Sequence, residues 1–114
     1  MATVVQMKMR SNRSLSEIAN VLRYAVVEFD DFKLVCYQQR NHSVFLCFER
    51  YYMSIKRYAS LSIMLSDEGE TLTADLVGLG VGEGPFNLSW GANSAIVQKT
   101  VKQLEEIGFR KIIE

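Results

Sequence analysis

Any chemistry this chain performs has to draw on a small set of side chains. It holds one histidine, His42, and two cysteines, Cys36 and Cys47. A general base needs a partner that orients it. His42 stands in Arg40-Asn41-His42-Ser43, between two runs rich in Val, Tyr, Phe and Cys. That position reads as a turn tip, where an imidazole faces water and finds no such partner. One His and two Cys fall short of the ligand set and spacing of a zinc site. Surrounded by apolar residues, Cys36 and Cys47 read as inert core thiols and not as nucleophiles.

Other stretches invite a functional reading. Gly78, Gly80, Gly82 and Gly84 precede a helix, and backbone N–H groups in such a run attract phosphate. The run lacks a Gly-Lys-Ser/Thr ending and follows the last strand of a series instead of the first strand of a parallel unit. It reads as a loop or a sharply bent strand. Lys8, Arg10, Arg13 and Arg23 form a basic corner with no interleaved aromatics for base stacking, which reads as a solvated edge. Glu49-Arg50-Tyr51-Tyr52 is the densest polar-aromatic cluster. It suits a charged edge that discourages strand addition, or an interface anchor, since Arg and Tyr are enriched at binding hot spots. Trp90 lies in Asn87-Leu88-Ser89-Trp90-Gly91, where a large ring plugs a seam between sheet and helix. No catalytic, metal-binding or cofactor-binding residue emerges. The expected partner or ligand surface comprises Phe45, Arg50, Tyr51, Tyr52, Phe86 and Trp90.

These residues need a scaffold, and composition bounds it. The 114 residues suit a single domain, 1–114, with one core. A hydrophobic fraction of 48% and a charged fraction of 23% are those of a soluble globular protein. Thirteen basic residues balance thirteen acidic ones, so no global field favours nucleic acid or an anionic membrane. No apolar run reaches the roughly 18 residues of a membrane helix. Met1-Ala2-Thr3-Val4-Val5 lacks the design of a signal peptide, and two cysteines make no disulfide framework. A cytoplasmic location is expected.

Periodicity then places the elements. Thr3 to Arg10 alternates, with Val5, Met7 and Met9 on one face, as in a half-buried strand. Ser14 precedes Glu17 at capping-box spacing. Leu15, Ile18, Leu22, Ala25, Val26 and Phe29 follow on one helical stripe, which ends near Asp30-Asp31. Phe32–Gln39 and Ser43–Met53 read as strands joined by a tight turn at Asn41-His42, residue types that tolerate positive φ. That loop places Cys36 opposite Cys47 at a hydrogen-bonded position of the ladder, with Cα atoms about 5.5 Å apart. A disulfide there would strain the hairpin, so two free, buried thiols are expected. Arg57–Ser66 and Thr71–Leu79 alternate as well. Their phases call for Leu65 opposite Leu72 across a loop of two or four residues, with Gly69 at positive φ. A second helix, capped by Asn93 or Ser94, carries Ile96, Val97, Val101, Leu104 and Ile107. Gly108 and Phe109 then supply a Schellman-type stop.

The resulting order, β-α-β-β-β-β-α, predicts an α+β fold: an antiparallel sheet with both helices on one face. It is similar in element order to the TATA-binding-protein-like architecture. In the first hairpin Val35, Tyr37, Leu46 and Phe48 fall on one side, and Leu34, Cys36, Phe45, Cys47 and Tyr51 on the other. Both sides want cover, since burying each large apolar group is worth roughly 1.5–3 kcal/mol. The N-terminal segment, Phe86–Trp90 or a second subunit would provide it.

Glu49-Arg50-Tyr51, Ser60-Leu61-Ser62-Ile63 and Phe86-Asn87-Leu88-Ser89-Trp90-Gly91, with the layout from Ser14 to Ile107, resemble a family of small uncharacterised domains from Gram-positive bacteria. The chain departs from that family in a longer glycine-bearing segment between Val77 and Phe86. The resemblance implies a bacterial, cytosolic single domain without assigned activity or cofactor. The functional expectation is a non-enzymatic binding or scaffolding domain acting as a homodimer or through a protein partner, with no nucleic acid or membrane partner. The alternative is a carrier holding a small apolar ligand in a pocket between sheet and helices.

Overall fold

The computed structural model describes residues 2–54, 56–80 and 90–112, and the side chains of all of these but 90–93. The elements are β1 (Ala2–Arg10), α1 (Leu15–Tyr24), a π-helical turn (Ala25–Phe29), β2 (Lys33–Gln39), β3 (Ser43–Tyr52), β4 (Arg57–Asp67), β5 (Thr71–Gly80), α2 (Trp90–Ile107) and β6 (Arg110–Lys111). The fold is α+β. One six-stranded antiparallel sheet has the order β2-β3-β4-β5-β1-β6. Both helices pack on one face of it, around a core shared by Met7, Ile18, Leu22, Leu61, Val97 and Leu104.

The apolar phase of each strand dictates how they assemble. β1 joins β5 with Met7 opposite Ala74 and Met9 opposite Leu72, so the buried set of one continues that of the other. Leu46 and Phe48 meet Ile63 and Leu61 in the same way on β3 and β4. All these side chains face the helices and are nearly or wholly excluded from water. β5 runs on as far as Gly80, which places Gly78 and Gly80 in the strand; Gly82 and Gly84 lie outside the described residues.

The end of the first helix departs from the expected stripe. Ser14 Oγ caps α1, accepting from the Glu17 N–H at 3.1 Å, and Ile18, Leu22 and Val26 are buried. The final turn widens: the Asp30 N–H donates to the Ala25 carbonyl at 3.2 Å, five residues back. The extra residue per turn rotates Phe29 off the buried stripe, leaving it 75% exposed against the Tyr24 ring. Asp31 then takes a positive φ of 61°, and Phe32 enters the core where Phe29 was expected.

The hairpins adjust three further expectations. The loop Asn41-His42 is closed by the Arg40 N–H on the Ser43 carbonyl at 2.8 Å, but neither loop residue takes positive φ; among described non-glycine residues only Asp31 and Lys56 do. Cys36 lies opposite Cys47 as expected, but a bulge between Leu34 and Cys36 puts Leu34 opposite Phe48. Leu34 therefore packs against the core, and Val35 is left exposed. Leu65 lies opposite Ala74, not Leu72. Parity is kept, so both apolar sets share a face, but the loop is Gly69-Glu70, closed by the Glu68 N–H on the Thr71 carbonyl at 2.9 Å. Gly69 at the first loop position, φ 97°, with Glu70 at negative φ follows the type II′ pattern. The Asp67 carboxylate also accepts from the Gly69 N–H at 2.9 Å, which fixes this loop over the alternative one.

α2 begins at Trp90, so Asn93 and Ser94 lie inside the helix and neither caps it. Its far end closes as the sequence implies. The Phe109 N–H donates to the Leu104 carbonyl at 2.9 Å and the Gly108 N–H to that of Glu105 at 3.2 Å, the two bonds of a Schellman motif. Gly108 has φ 132° and Phe109 is fully buried. This stop turns the chain back, so that Arg110–Lys111 pairs with β1 as β6, a strand too short to show a period.

Candidate functional site

The face of the sheet away from the helices is the surface to which the sequence directs attention. Alternation and register bring matching residues of neighbouring strands into rows there. One row runs Phe45, Met64, Asp75, Gln6, and the next Cys47, Ser62, Val77, Val4. A third carries Glu49, Ser60, Leu79 and Ala2, and Tyr51 lies opposite Tyr58 at the end, with ring centroids 4.9 Å apart. Val4, Tyr51, Tyr58, Met64 and Leu79 are between 39% and 60% exposed. Phe45 and Val77 are half-buried.

Cover from the N-terminal segment does not occur. β1 lies in the plane of the sheet beside β5, so Val4 widens the face instead of hiding it. Phe86 and the Trp90 side chain, the other expected cover, lie outside the described residues. The two cysteines belong to this surface too. They are free but only half-buried, not fully buried, because their side of the hairpin is the open one. Ser62 Oγ lies 3.6 Å from Cys47 Sγ.

The remaining expected site residues are divided between the two faces. Phe45 and Tyr51 are on the open face, whereas Arg50 and Tyr52 turn toward the helices. Arg50 Nη1 donates to the Asp30 carbonyl at 3.0 Å, and its guanidinium lies 4.5 Å from the centre of the Tyr52 ring. The Asp30 carboxylate in turn meets Lys99 of α2 at 3.2 Å. Arg50 and Tyr52 therefore brace β3 against the end of the first helical segment. Lys33 lies opposite Glu49 across the ladder on the open face, so it is separated from Arg50, which is on the other side of the strand. Asp31, Lys33, Glu49, Arg50, Tyr51 and Tyr58 line a concavity of about 260 Å³.

The basic corner is rearranged. Arg23 leaves it, with its guanidinium 6.0 Å from the Tyr37 ring centre. Arg110 enters, directly opposite Lys8 on β6. Sequence reading missed Arg110 because its strand has only two residues. A concavity of about 470 Å³ opens at this corner. Four surface concavities among the described residues are lined mostly by polar side chains, while the layer between sheet and helices is filled by core residues. Among the described residues no group of three or more His, Cys, Asp or Glu side chains could hold a metal ion. No described helix is long and apolar enough to cross a membrane.

Comparison with known proteins adds family and fold. Residues 5–108 match a family described as "Family of unknown function (DUF6054)". No curated protein matches. Among solved structures, the vertebrate conserved region of human METTL16 aligns with a TM-score of 0.50 at 9% identity, over 90% of this chain and 95% of that one. At that identity the likeness is one of fold alone.

Proposed function

We propose, from the premise that the chain belongs to DUF6054, a family of unknown function, that it is a non-enzymatic binding module whose open sheet face joins a second copy of itself. The observation that supports this reading is the run of exposed apolar and hydroxyl side chains from Val4 to Tyr58 across β1, β5, β4 and β3. With β2 included, five strands about 4.8 Å apart and some eight residues long at ~3.3 Å each span roughly 20 Å by 25 Å. With side-chain relief, such a face is of the order of the ~800 Å² per partner that a stable interface buries. Its charge is suited to a two-fold axis. Lys33 sits opposite Glu49, and Asp75 is the one charged residue in the rows of Phe45 and Cys47, so the middle of the face meets its copy without a block of single-sign charge. Two sheets stacked this way bury alternate residues at about 10 Å separation.

The bacterial and cytoplasmic setting implied by the sequence forms part of this proposal, and two unpaired thiols on the joining face suit it. Size-exclusion chromatography with light scattering provides the test. The wild-type chain is expected at twice its mass of 13.0 kDa, and a Met64→Lys/Leu79→Lys variant at 13.0 kDa with unchanged circular dichroism. A strict 13.0 kDa wild-type species at high concentration would end the homodimer reading. A variant that remains dimeric would move the contact off this face.

A further inference from the structure

The corner formed by β1 and β6 carries an electrostatic conflict that the fold does not resolve internally. Lys8 lies directly opposite Arg110 across the antiparallel ladder. Like charges at such a pair are destabilising, with Cα atoms only about 4.5–5.5 Å apart. Arg10 stands two residues from Lys8 on the same face of β1, about 6.5 Å further along the pleat. All three cations are exposed, and the one ion pair among the described residues joins Lys99 to Asp30. A protein with equal numbers of acidic and basic residues has thus gathered three of its cations around one concavity of about 470 Å³.

The donors there are partly fixed in place. Arg110 Nη1 donates to the Phe109 carbonyl at 2.7 Å and the Glu105 carbonyl at 3.1 Å. Those bonds offset the exposed carbonyls at the end of α2 and hold the guanidinium with its other nitrogens available. Thr71, opposite Arg10 on β5, adds a hydroxyl to the lining. The one carboxylate of the lining is Glu70, which leaves an excess of positive charge. Met9 is its one large apolar side chain, and it contains no aromatic ring on which a base could stack.

We propose that Lys8, Arg10 and Arg110 form a binding site for a small anion bearing linked phosphates, of the inorganic diphosphate class. One phosphate bridges Lys8 and Arg110, removing their repulsion, and the second reaches Arg10 and the Thr71 hydroxyl. Arginine and lysine both recognise phosphate, the former through paired N–H donors and the latter as a point charge. The site lies at the β1–β6 corner of the same sheet face, beyond the rows proposed to join two copies, and uses none of the residues of those rows.

Calorimetric titration of the full chain with inorganic diphosphate at low ionic strength tests it, with sulfate at matched ionic strength as the comparison. Saturable one-site binding is expected, at least tenfold tighter than sulfate and at least tenfold weaker in Lys8→Gln/Arg10→Gln. That variant keeps the Arg110 bonds at the end of α2, and circular dichroism verifies its fold. No saturable binding at millimolar diphosphate, equal affinity for sulfate, or binding unchanged in the variant would each overturn the site. A single-stranded oligonucleotide binding through the same residues more tightly than diphosphate would overturn the ligand class.

Discussion

Arg50 on β3 donates to the main-chain oxygen of Asp30 at 3.0 Å, so a strand side chain satisfies a carbonyl left open where the first helical segment ends. The same guanidinium stacks on Tyr52, and this second contact holds it in position. Replacing Arg50 with Ala is expected to cost about 1–3 kcal/mol, the range for hydrogen bonds to charged groups and for a carbonyl left unsatisfied. Urea unfolding measures this, and the mass in solution should stay the same. A loss of self-association without loss of stability would instead make Arg50 an interface residue.

Two glycines at positive φ should respond unequally to alanine. Gly69 has φ 97° with nothing within 4 Å of an added Cβ, so only backbone strain of about 1–2 kcal/mol applies. Gly108 has φ 132°, and its added Cβ would lie 3.3 Å from Met9 Cε in the core. Gly108→Ala is therefore expected to be the more destabilising, since the Met9 methyl must shift by a few tenths of an ångström on top of the backbone strain. Equal melting temperatures for the two variants would contradict the tight seam between α2 and β1.

Cys36 and Cys47 face each other two pleats from the Arg40–Ser43 closing pair, at a position where the strands exchange hydrogen bonds. The geometry there disfavours a bridge, so two thiols per chain are expected to react with Ellman's reagent in denaturant without any reductant. Intact mass under non-reducing conditions showing a loss of two hydrogens would sink this expectation.

Phe29→Ala should be nearly silent, within about 0.5 kcal/mol, because the ring is 75% exposed. Phe32→Ala and Phe48→Ala should cost about 3–5 kcal/mol each, as both side chains are buried in the core. Denaturant midpoints rank the three variants, and a large cost at Phe29 would mean that the helix ends without its wide turn.

These contrasts show what could be read from the chain and what could not. Strict alternation in β1, β4 and β5 fixed which side chains face the helices, and short-range capping signals at Ser14, Gly108 and Phe109 placed their helix ends correctly. Features that add one residue to a regular period were hidden. The π-turn moved Phe29 outward, and the bulge moved Leu34 inward, because single-period templates cannot register an insertion. The Leu65 partner was missed by two residues because parity constrains faces and not the choice of loop. The open face was legible as a need for cover around Phe45 and Tyr51, whereas Arg110 entered the basic corner through a long-range pairing that no local pattern announces.

The insertion of β1 between β5 and β6 sets a schedule for vectorial synthesis. β2, β3 and β4 can zip together as each emerges from the ribosome, since each pairs with its sequence neighbour. The opening strand has no such neighbour and must wait until Thr71–Gly80 has been made before its apolar edge finds shelter. Closing that large loop adds only about 0.6 kcal/mol per doubling of its length, but it slows folding, because the distant contact has to form before it is rewarded. The nascent chain therefore carries Val5, Met7 and Met9 unprotected from the synthesis of β1 until that of β5, and this is the interval in which a chaperone would find it.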